Sequence, residues 1–407
     1  MRRLDRWLGI PLCWCMTLLR RVRAMTPARD AQPDAPRRVL FVLLSESGSM
    51  VLADPAVRAL SGAVGAEAFF LTFEHNRPAL ALTGTVPGER IFSLHADRPL
   101  ALLPDIWRWR RWVRDNGIDT VVDLELFACL SAALCAVSGV RRRAGFHASG
   151  GIGRYRGDLY THRVAYDPAR HISHNYLALT DALLGRAVVR HELPEPPRRT
   201  PRAPETAAVQ TLLRAALPQR RGYGTLLLLN PNASELLPQR RWPVPHFVAL
   251  ACRLLERHAD LDILLIGSAS DAATTAQIAA AVADPRCADI AGHLALDQLP
   301  ALFAQADTLV SNDSGPAHFA AVSDLPVVVL FGPETPVLYR PLGRATVLSA
   351  GLPCSPCVNV GNQRQTRCRD NRCMREIPVE AVLAALEDVL AQPALPANVT
   401  PLRRSRA

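Results

Sequence analysis

The sequence contains no lysine, so all 47 of its basic residues are arginine in a chain of 407. This absence excludes a Walker-type phosphate loop and a Schiff-base enzyme, because both depend on a lysine amine. Arginine keeps the positive charge and binds phosphates through two parallel hydrogen bonds, so anion binding is retained. The formal net charge of +10 indicates an anionic partner, which could be a phosphorylated substrate, nucleic acid or an acidic membrane surface.

Aromatic residues are scarce, at 6% of the chain, and the ten cysteines do not follow the spacing of a secreted disulfide scaffold. Most of the cysteines are scattered through apolar segments, which favours a reducing cytoplasm. Trp107, Trp109 and Trp112 fall in one predicted helix, Pro104 to Asn116, where packing explains them better than base stacking. No nucleic acid partner is therefore predicted.

The apolar stretch near the N terminus is too short to span a bilayer comfortably, and Pro11 interrupts it. It also lacks the small-residue cleavage site of a secretory signal, since Arg20, Arg21 and Arg23 follow instead. Two tryptophans bracketed by arginines favour a helix lying on an anionic membrane surface. The alternative is an ordinary first helix packed on the fold.

The rest of the chain alternates buried strands and helices, which predicts an α/β fold with two domains. A proline-rich stretch without apolar periodicity gives the best boundary between them. The predicted segments are a membrane-surface segment and linker (1–37), a first Rossmann-like domain (38–190), a hinge linker (191–222), a second domain with a cysteine loop at 354–373 (223–392), and a disordered basic tail (393–407).

The most informative motif is Asn312-Asp313-Ser314-Gly315-Pro316-Ala317-His318. It lies between two apolar strands, and the second strand leads into Phe331-Gly332-Pro333. Asp313 or Ser314 can cap a helix there, and Gly315 lets a ligand approach the backbone. Free N–H groups at the start of the helix would face a pyrophosphate, with His318 one turn further on. An ordinary capped helix in an α/β sheet is the alternative.

These residues resemble the nucleotide-sugar signature of glycosyltransferase family 9, the ADP-heptose:lipopolysaccharide heptosyltransferases, over most of residues 38–392. The resemblance implies the GT-B architecture, in which two Rossmann-like domains with parallel sheets face each other. It also implies inverting transfer of a sugar, heptose from ADP-heptose, to a lipid-linked saccharide of lipopolysaccharide type. No cofactor is required by that chemistry, and the implied location is the cytoplasmic face of a bacterial inner membrane.

The resemblance places the donor in the second domain. Ser234 matches a hydroxyl of the family's donor loop, and Arg240 or Arg241 stands in for a lysine that precedes Trp-Pro. Asp271 falls where the family has an acidic residue near the ribose, and Leu294 falls at the base pocket. The implied donor-binding residues are Ser234, Arg240, Asp271, Leu294, Asp313, Ser314, Gly315 and His318.

The family's catalytic aspartate follows a glycine in the loop after the first strand, but here the matching pair is Gly48-Ser49. A serine hydroxyl cannot act alone as a base at neutral pH, and inverting transfer needs a carboxylate or imidazole close to the attacking oxygen. Glu46, in the same loop, is the nearest substitute, so Glu46 and Ser49 are the candidate catalytic residues. Asp123 or Glu125 could provide a second base, and Glu46 could instead be a solvated loop charge.

A basic stretch resembles the family's arginines ahead of Gly-Phe, and it consists of Arg141, Arg142 and Arg143. Guanidinium groups there could clamp an anionic acceptor such as a phosphorylated core sugar. A solvated charged face is an equal alternative. His171 or His174 could also contact the acceptor, although a lone histidine is usually structural.

Four cysteines are spaced as CxxC and CxxxxC in one predicted loop: Cys354, Cys357, Cys368 and Cys373. Four thiolates at this spacing can bind a structural zinc ion. A disulfide or redox pair and packed free thiols are the alternatives.

Two other functions fit the same sequence. The protein could be a non-catalytic scaffold that binds a nucleotide sugar after losing the usual aspartate. It could also be a nucleotide-sugar epimerase of similar two-lobed build, which would need no acceptor. Transfer to an acceptor separates the transferase from both.

Overall fold

The structure, a computed structural model, describes residues 2–23, 35–44, 46–95, 102–148, 153, 155–220, 224–362 and 364–391. Most of the predicted linker before residue 38 and the whole predicted tail, 393–407, lie outside these ranges.

Two parallel sheets of six strands form the framework. Their strands are short apolar runs, largely buried on both faces, as expected of parallel sheets covered by helices. The first sheet contains β1 Arg38–Val42, β2 Glu67–Phe73, β3 Ile91–Leu94, β4 Thr120–Asp123, β5 Arg142–His147 and β6 His162–Ala165. The second contains β7 Thr225–Asn230, β8 Leu261–Leu265, β9 Cys287–Asp289, β10 Thr308–Asn312, β11 Val327–Phe331 and β12 Ala345–Ser349.

Helices connect these strands and cover the sheets. The first lobe contains α1 Arg2–Arg23, α2 Gly48–Val64, α3 Arg77–Ala81, α4 Leu102–Asp115, α5 Cys129–Val137 and α6 Ile172–Leu183. The linker and the second lobe contain α7 Ala203–Ala216, α8 Val244–Arg257, α9 Ala272–Val282, α10 Leu299–Phe303, α11 Gly315–Phe319, α12 Pro336–Tyr339, α13 Arg372–Arg375 and α14 Val379–Ala391.

The strand orders are β3-β2-β1-β4-β5-β6 and β12-β11-β10-β7-β8-β9, and every neighbouring pair is parallel. The order reverses between β1 and β4 in the first sheet and between β7 and β10 in the second. Open α/β sheets bind ligands outside the carboxyl ends of the strands at such a reversal. The predicted fold class, two Rossmann-like domains in the GT-B arrangement, is confirmed.

The first helix packs on the first lobe by one side only. Its buried residues Gly9, Cys13 and Thr17 are four positions apart and so share one face, which lies against α5. The opposite side is apolar and exposed, with Ile10, Leu12, Trp14, Leu18, Leu19 and Val22. No helix in the described ranges has both the length and the apolar character to cross a membrane. The helix therefore packs on the fold, as the second of the two predicted alternatives has it, and it also has an outward apolar face.

Two histidines at the start of α6 fasten the first lobe to the linker and to the second lobe. His171 Nε2 donates to the Arg340 carbonyl of the second lobe at 2.9 Å, and His174 Nε2 donates to the Glu192 carbonyl of the linker at 2.8 Å. Both side chains are buried and bound to backbone carbonyls, which is the structural role expected of such histidines. The segment predicted as a hinge linker also contains a helix, α7, which packs against α10 of the second lobe.

Candidate active site between the two lobes

A cavity of about 240 Å³ lies between the lobes, at the carboxyl ends of both sheets. The first lobe contributes the loop after β1 and the start of α2, while the second contributes the β10–α11 turn. A larger cavity of about 630 Å³ lies next to it, lined by the second lobe apart from Ser47. The two cavities share the lining residues Ser47, Ser234, Ser314 and Gly315.

Every predicted catalytic and donor-binding residue lines one or both cavities. The smaller cavity is lined by Glu46, Ser49, Ser234, Arg240, Asp313, Ser314, Gly315 and His318. The larger is lined by Ser234, Asp271, Leu294, Ser314 and Gly315. The fold therefore brings together side chains from distant parts of the chain.

The turn after β10 differs from the prediction in one respect. The helix that follows is short, because α11 has five residues and continues only as a 3₁₀ turn, Ala320–Ser323. Ser314 precedes it without capping it; the Ser314 hydroxyl instead accepts a hydrogen bond from Asn230 Nδ2 at 2.8 Å. A short helix has a weak dipole, so positive charge at this site comes chiefly from arginine side chains.

A chain of ion pairs crosses the cleft from one lobe to the other. Arg240 lies 3.3 Å from Asp313 through Nε and 3.1 Å from Glu334 through Nη2. Arg364 Nη2 lies 2.8 Å from the same Glu334 oxygen, and its Nη1 pairs with Glu46 of the first lobe. Two guanidinium groups are thus held by three carboxylates at the smaller cavity.

The structure decides between the two candidate replacements for the family's lysine. Arg240 is almost buried and lines the smaller cavity. Arg241 points elsewhere, donating to the Ala233 carbonyl at 2.9 Å and pairing with the exposed Glu235. Arg240 is therefore the residue positioned to bind an anion.

Two buried polar atoms at this cavity, His318 Nδ1 and Tyr339 Oη, have no hydrogen-bond partner in the described part of the chain, and Arg240 Nε and Asp313 Oδ2 meet only as an ion pair. Leaving a buried polar group unpaired costs about 1–3 kcal/mol, so native proteins rarely tolerate it without a reason. Their concentration at one cavity indicates a polar ligand that completes these hydrogen bonds.

His318 is poised as a neutral imidazole. Burial lowers its pKa, although the nearby carboxylates of Asp313 and Glu46 oppose the shift. Its Nε2 lies 3.9 Å from Asp313 Oδ1, and only 6% of the residue is exposed. An uncharged imidazole can orient a ligand hydroxyl without adding positive charge.

The larger cavity combines an apolar wall with one carboxylate. Its apolar lining comprises Ile266, Ile290, Leu294, Leu296, Leu299 and Phe319. Asp271 lies among the polar residues, and its Oδ2 accepts hydrogen bonds from Ser268 N at 2.9 Å and Ser268 Oγ at 2.5 Å. An apolar slot beside a fixed carboxylate suits a base and a ribose.

The predicted acceptor clamp is not brought to this site. Arg142 begins β5 and pairs with Thr120 at the start of β4, so Arg141, Arg142 and Arg143 lie at the sheet edge opposite the cleft. Arg143 is buried and donates to the Leu159 carbonyl at 2.6 Å. In the described structure none of the three lines either cavity.

Asp123 and Glu125, the other candidate bases, make contacts that stabilise the first lobe. Asp123 is fully buried, pairs with Arg156 and accepts from Tyr160 Oη at 2.5 Å. Glu125 accepts from Leu44 N at 2.6 Å. These contacts hold the ends of β1 and β4 in place just before the loop that contains Glu46.

The zinc site predicted from Cys354, Cys357, Cys368 and Cys373 is not supported. Among the described residues no group of three or more His, Cys, Asp or Glu side chains is arranged to hold a metal ion. All four cysteines are free thiols, so the disulfide alternative is also not observed. Cys373 is buried under Gly332, and burial raises the pKa of its thiol to about 11.

Sequence analysis missed Glu334, Tyr339 and Arg364. A signal existed for Glu334, because it directly follows Phe331-Gly332-Pro333 at the carboxyl end of β11. Arg364 lies in the long loop between β12 and α13, where no local pattern distinguishes it from its neighbours. Only the fold shows that its side chain reaches the cleft.

Comparison with known proteins gives the family of this chain. A model of glycosyltransferase family 9 (heptosyltransferase) matches residues 106–367. Lipopolysaccharide heptosyltransferase 2 of Salmonella typhimurium is 37% identical over 112 residues, which are 27% of this chain and 32% of that protein. The chain thus spans about a third of the length of this curated relative.

Two solved structures share the fold. ADP-heptose lps heptosyltransferase II of E. coli superposes with a TM-score of 0.66 at 21% identity, covering 87% of this chain and 98% of that one. The glycosyl transferase family 9 structure from Veillonella parvula gives 0.70 at 17% identity, covering 89% and 99%. Because the family model matches more than half of the sequence, this chain belongs to glycosyltransferase family 9 (heptosyltransferase).

Proposed function

We propose that the protein is an inverting glycosyltransferase that moves heptose from ADP-heptose onto a lipopolysaccharide-type or other lipid-linked saccharide. The observation that carries this proposal is the junction of the two cavities. A slot suited to a nucleoside opens, at Ser314 and Gly315, onto a cavity with arginines on one side and a carboxylate from the opposite lobe on the other.

The donor would lie across this junction. Its base would lie against the apolar wall near Leu294, with the ribose next to Asp271. Its diphosphate would then reach Ser234, Ser314 and the Arg240 guanidinium. Guanidinium groups bind phosphates by charge-assisted, often bidentate, hydrogen bonds, so Arg240 would stabilise the negative charge that develops on the leaving diphosphate.

The acceptor side belongs to the first lobe. Glu46 would take the proton of the acceptor hydroxyl while that oxygen attacks the anomeric carbon from the face opposite the departing phosphate, which inverts the configuration. Ser49, only 7% exposed and lining the same cavity, would orient the hydroxyl. This scheme uses no cofactor.

The exposed face of α1 supports attachment to an anionic membrane, where a lipid-linked acceptor resides. Trp14 and Leu19 are each 59% exposed on this face. Amphipathic helices bury such faces in the interface, helped by basic residues. Trp14→Ser with Leu18→Ser should weaken binding to vesicles containing phosphatidylglycerol, whereas Val189→Ser, at an exposed apolar residue after α6, should not. Equal binding of the vesicles by both variants would refute the proposed membrane contact.

The decisive experiment supplies ADP-heptose and a lipid-linked core saccharide and detects the extended product by mass spectrometry. Loss of a general base lowers turnover about 10²–10⁴-fold, so Glu46→Gln should do so while ADP still binds. Glu89→Gln, an exposed glutamate outside the site, is the matched control. Donor binding without transfer by the wild type would favour a scaffold, and sugar isomerisation without acceptor would favour an epimerase.

A further inference from the structure

Arg364 bridges the two lobes from an unusual position. It belongs to the loop 350–371, between β12 and α13, whose Cys357 N and Val358 N donate to the Pro333 carbonyl at 3.0 and 2.9 Å. These bonds fix the loop beside the carboxyl end of β11. The Arg364 side chain then extends to the first lobe, where it pairs with Glu46.

We propose that Arg364 exchanges partners during the reaction, moving from Glu46 to the diphosphate of the donor, which frees Glu46 to act as the base. This inference rests on the proposed function, in which Glu46 deprotonates the acceptor. It assigns Arg364 two tasks, binding the diphosphate and keeping Glu46 paired until a donor is present.

Arg364 is charged, and it has two contacts in the second lobe besides its pair with Glu46. Its Nε and Nη2 donate to Glu334 Oε2 at 3.0 and 2.8 Å, while its Nη1 pairs with Glu46. The guanidinium lies 4.6 Å above the Tyr339 ring. Burial disfavours its charge, but the carboxylates of Glu46 and Glu334 raise its pKa above the ordinary value. Glu334 and Tyr339 can therefore retain the group while Nη1 changes partner.

The pairing with Glu46 conflicts with catalysis. A guanidinium beside a carboxylate favours the ionised form and so lowers its affinity for a proton. A glutamate held by Arg364 is therefore a poor base for the acceptor hydroxyl. The conflict disappears if a stronger anion withdraws the guanidinium before the acceptor reacts.

The diphosphate is positioned to be that anion. Arg364 lines the same cavity as Arg240, Ser234 and Ser314, the residues at the proposed diphosphate site. A diphosphate has several anionic oxygens, so it competes well against a single carboxylate for the paired N–H donors of a guanidinium group. Glu46 would be released only when a donor occupies the site, so donor binding would precede deprotonation of the acceptor.

The test is titration calorimetry of the full-length chain with ADP, using AMP as the probe that lacks the second phosphate. Because breaking the pair opposes ADP binding, Glu46→Gln should tighten the ADP Kd about 5-fold, and Arg364→Gln should weaken it about 10-fold or more. The double variant should match Arg364→Gln, and AMP affinity should change in none of them. Arg367→Gln, an exposed arginine of the same loop, is the matched control.

A purely structural ion pair would give a different pattern. Both single variants would then change ADP affinity in the same direction, and weaker or unchanged ADP binding by Glu46→Gln would overturn the exchange. Arg364→Lys keeps the positive charge but loses the paired N–H donors of the guanidinium group. Its ADP affinity should therefore lie between those of the wild type and Arg364→Gln. If that ordering is absent, the proposal is also wrong.

Transfer assays separate this inference from the proposed function. If the wild type transfers heptose and Glu46→Gln does not, but ADP affinity follows no exchange pattern, the exchange is refuted and the transferase stands. The opposite-sign pattern with ADP supports the exchange by itself, even where ADP-heptose proves not to be the donor.

Discussion

The imidazole of His318 lies against the backbone of Gly48, so closely that a Cβ at position 48 would be 2.6 Å from its Cδ2 atom. Gly48 begins α2 in the first lobe, and His318 lies in α11 of the second. Since His318 is buried, its ring cannot move aside freely. This contact sets how closely the two lobes approach each other beside Glu46.

Gly48→Ala should therefore impair catalysis by separating the lobes. Overpacking typically costs about 1–3 kcal/mol of stability, and we expect transfer to fall at least tenfold. ADP affinity should change little, because the larger cavity belongs almost entirely to the second lobe. Gly62→Ala is the control, since Gly62 is exposed in the same helix with no atom within 4 Å of a Cβ there. Equal effects of the two substitutions would refute this interpretation.

Arg240→Gln should weaken ADP binding strongly, whereas Arg241→Gln should not. Hydrogen bonds to charged groups contribute about 1.5–3 kcal/mol, so we expect roughly a 10- to 100-fold rise in Kd for Arg240→Gln. Arg241 is occupied by Ala233 and Glu235 and lines neither cavity in the described structure. Fluorescence or calorimetric titration measures the difference. A larger effect at Arg241 would reverse the assignment.

His171 should make the protein less stable in mild acid. Burial lowers its pKa from 6.5 to about 4, so between these values the unfolded chain binds a proton that the folded chain does not. Stability therefore falls as pH decreases through this window. His171→Asn keeps a side chain that can accept from Ser173 N, as the imidazole does, but it does not titrate.

Urea unfolding at several pH values should accordingly show that the free energy of unfolding of His171→Asn falls less steeply with decreasing pH than that of the wild type. The difference in slope should correspond to about one proton. His191→Asn, at an exposed position in the linker, should keep the wild-type slope. Parallel slopes for all three proteins would show that His171 does not control this dependence.

Removing Arg156 should destabilise the first lobe, because it leaves Asp123 charged and buried. Breaking one partner of a buried ion pair costs about 3–5 kcal/mol, and we expect this loss for Arg156→Met in urea unfolding. Asp123→Asn combined with Arg156→Met should cost less than the sum of the two single changes. Arg253→Gln, which breaks an exposed pair with Glu380, should leave the unfolding midpoint unchanged. A comparable loss there would contradict the argument.

The second-lobe side of the cleft was predictable because its signals are local. Asp313, Ser314, Gly315 and His318 fall within one turn between two apolar strands, and a parallel sheet places that turn at its carboxyl edge. The prediction that the arginine run at 141–143 lies at the site was wrong for a related reason. A charged run near a strand does not reveal which end of the strand it occupies, and β5 places these residues at the far edge.

Other features depend on long-range packing that sequence patterns do not carry. Arg364 reaches Glu46 only because its loop is fastened to Pro333, a contact between segments with no shared periodicity. The helix α7 was hidden by prolines, yet Pro204 lies in its first turn, where proline is tolerated, and Glu205 accepts from Arg202 N at 2.9 Å. Cysteine spacing likewise did not produce a metal-holding group among the described residues.

Apart from Ser47, the larger cavity is built by the second lobe, and the carboxylate of Glu46 beside it comes from the first. Selection can therefore act on the two lobes separately. Under the proposed function, substitutions that reshape the first lobe would change the acceptor that is modified, while the same activated sugar is still used.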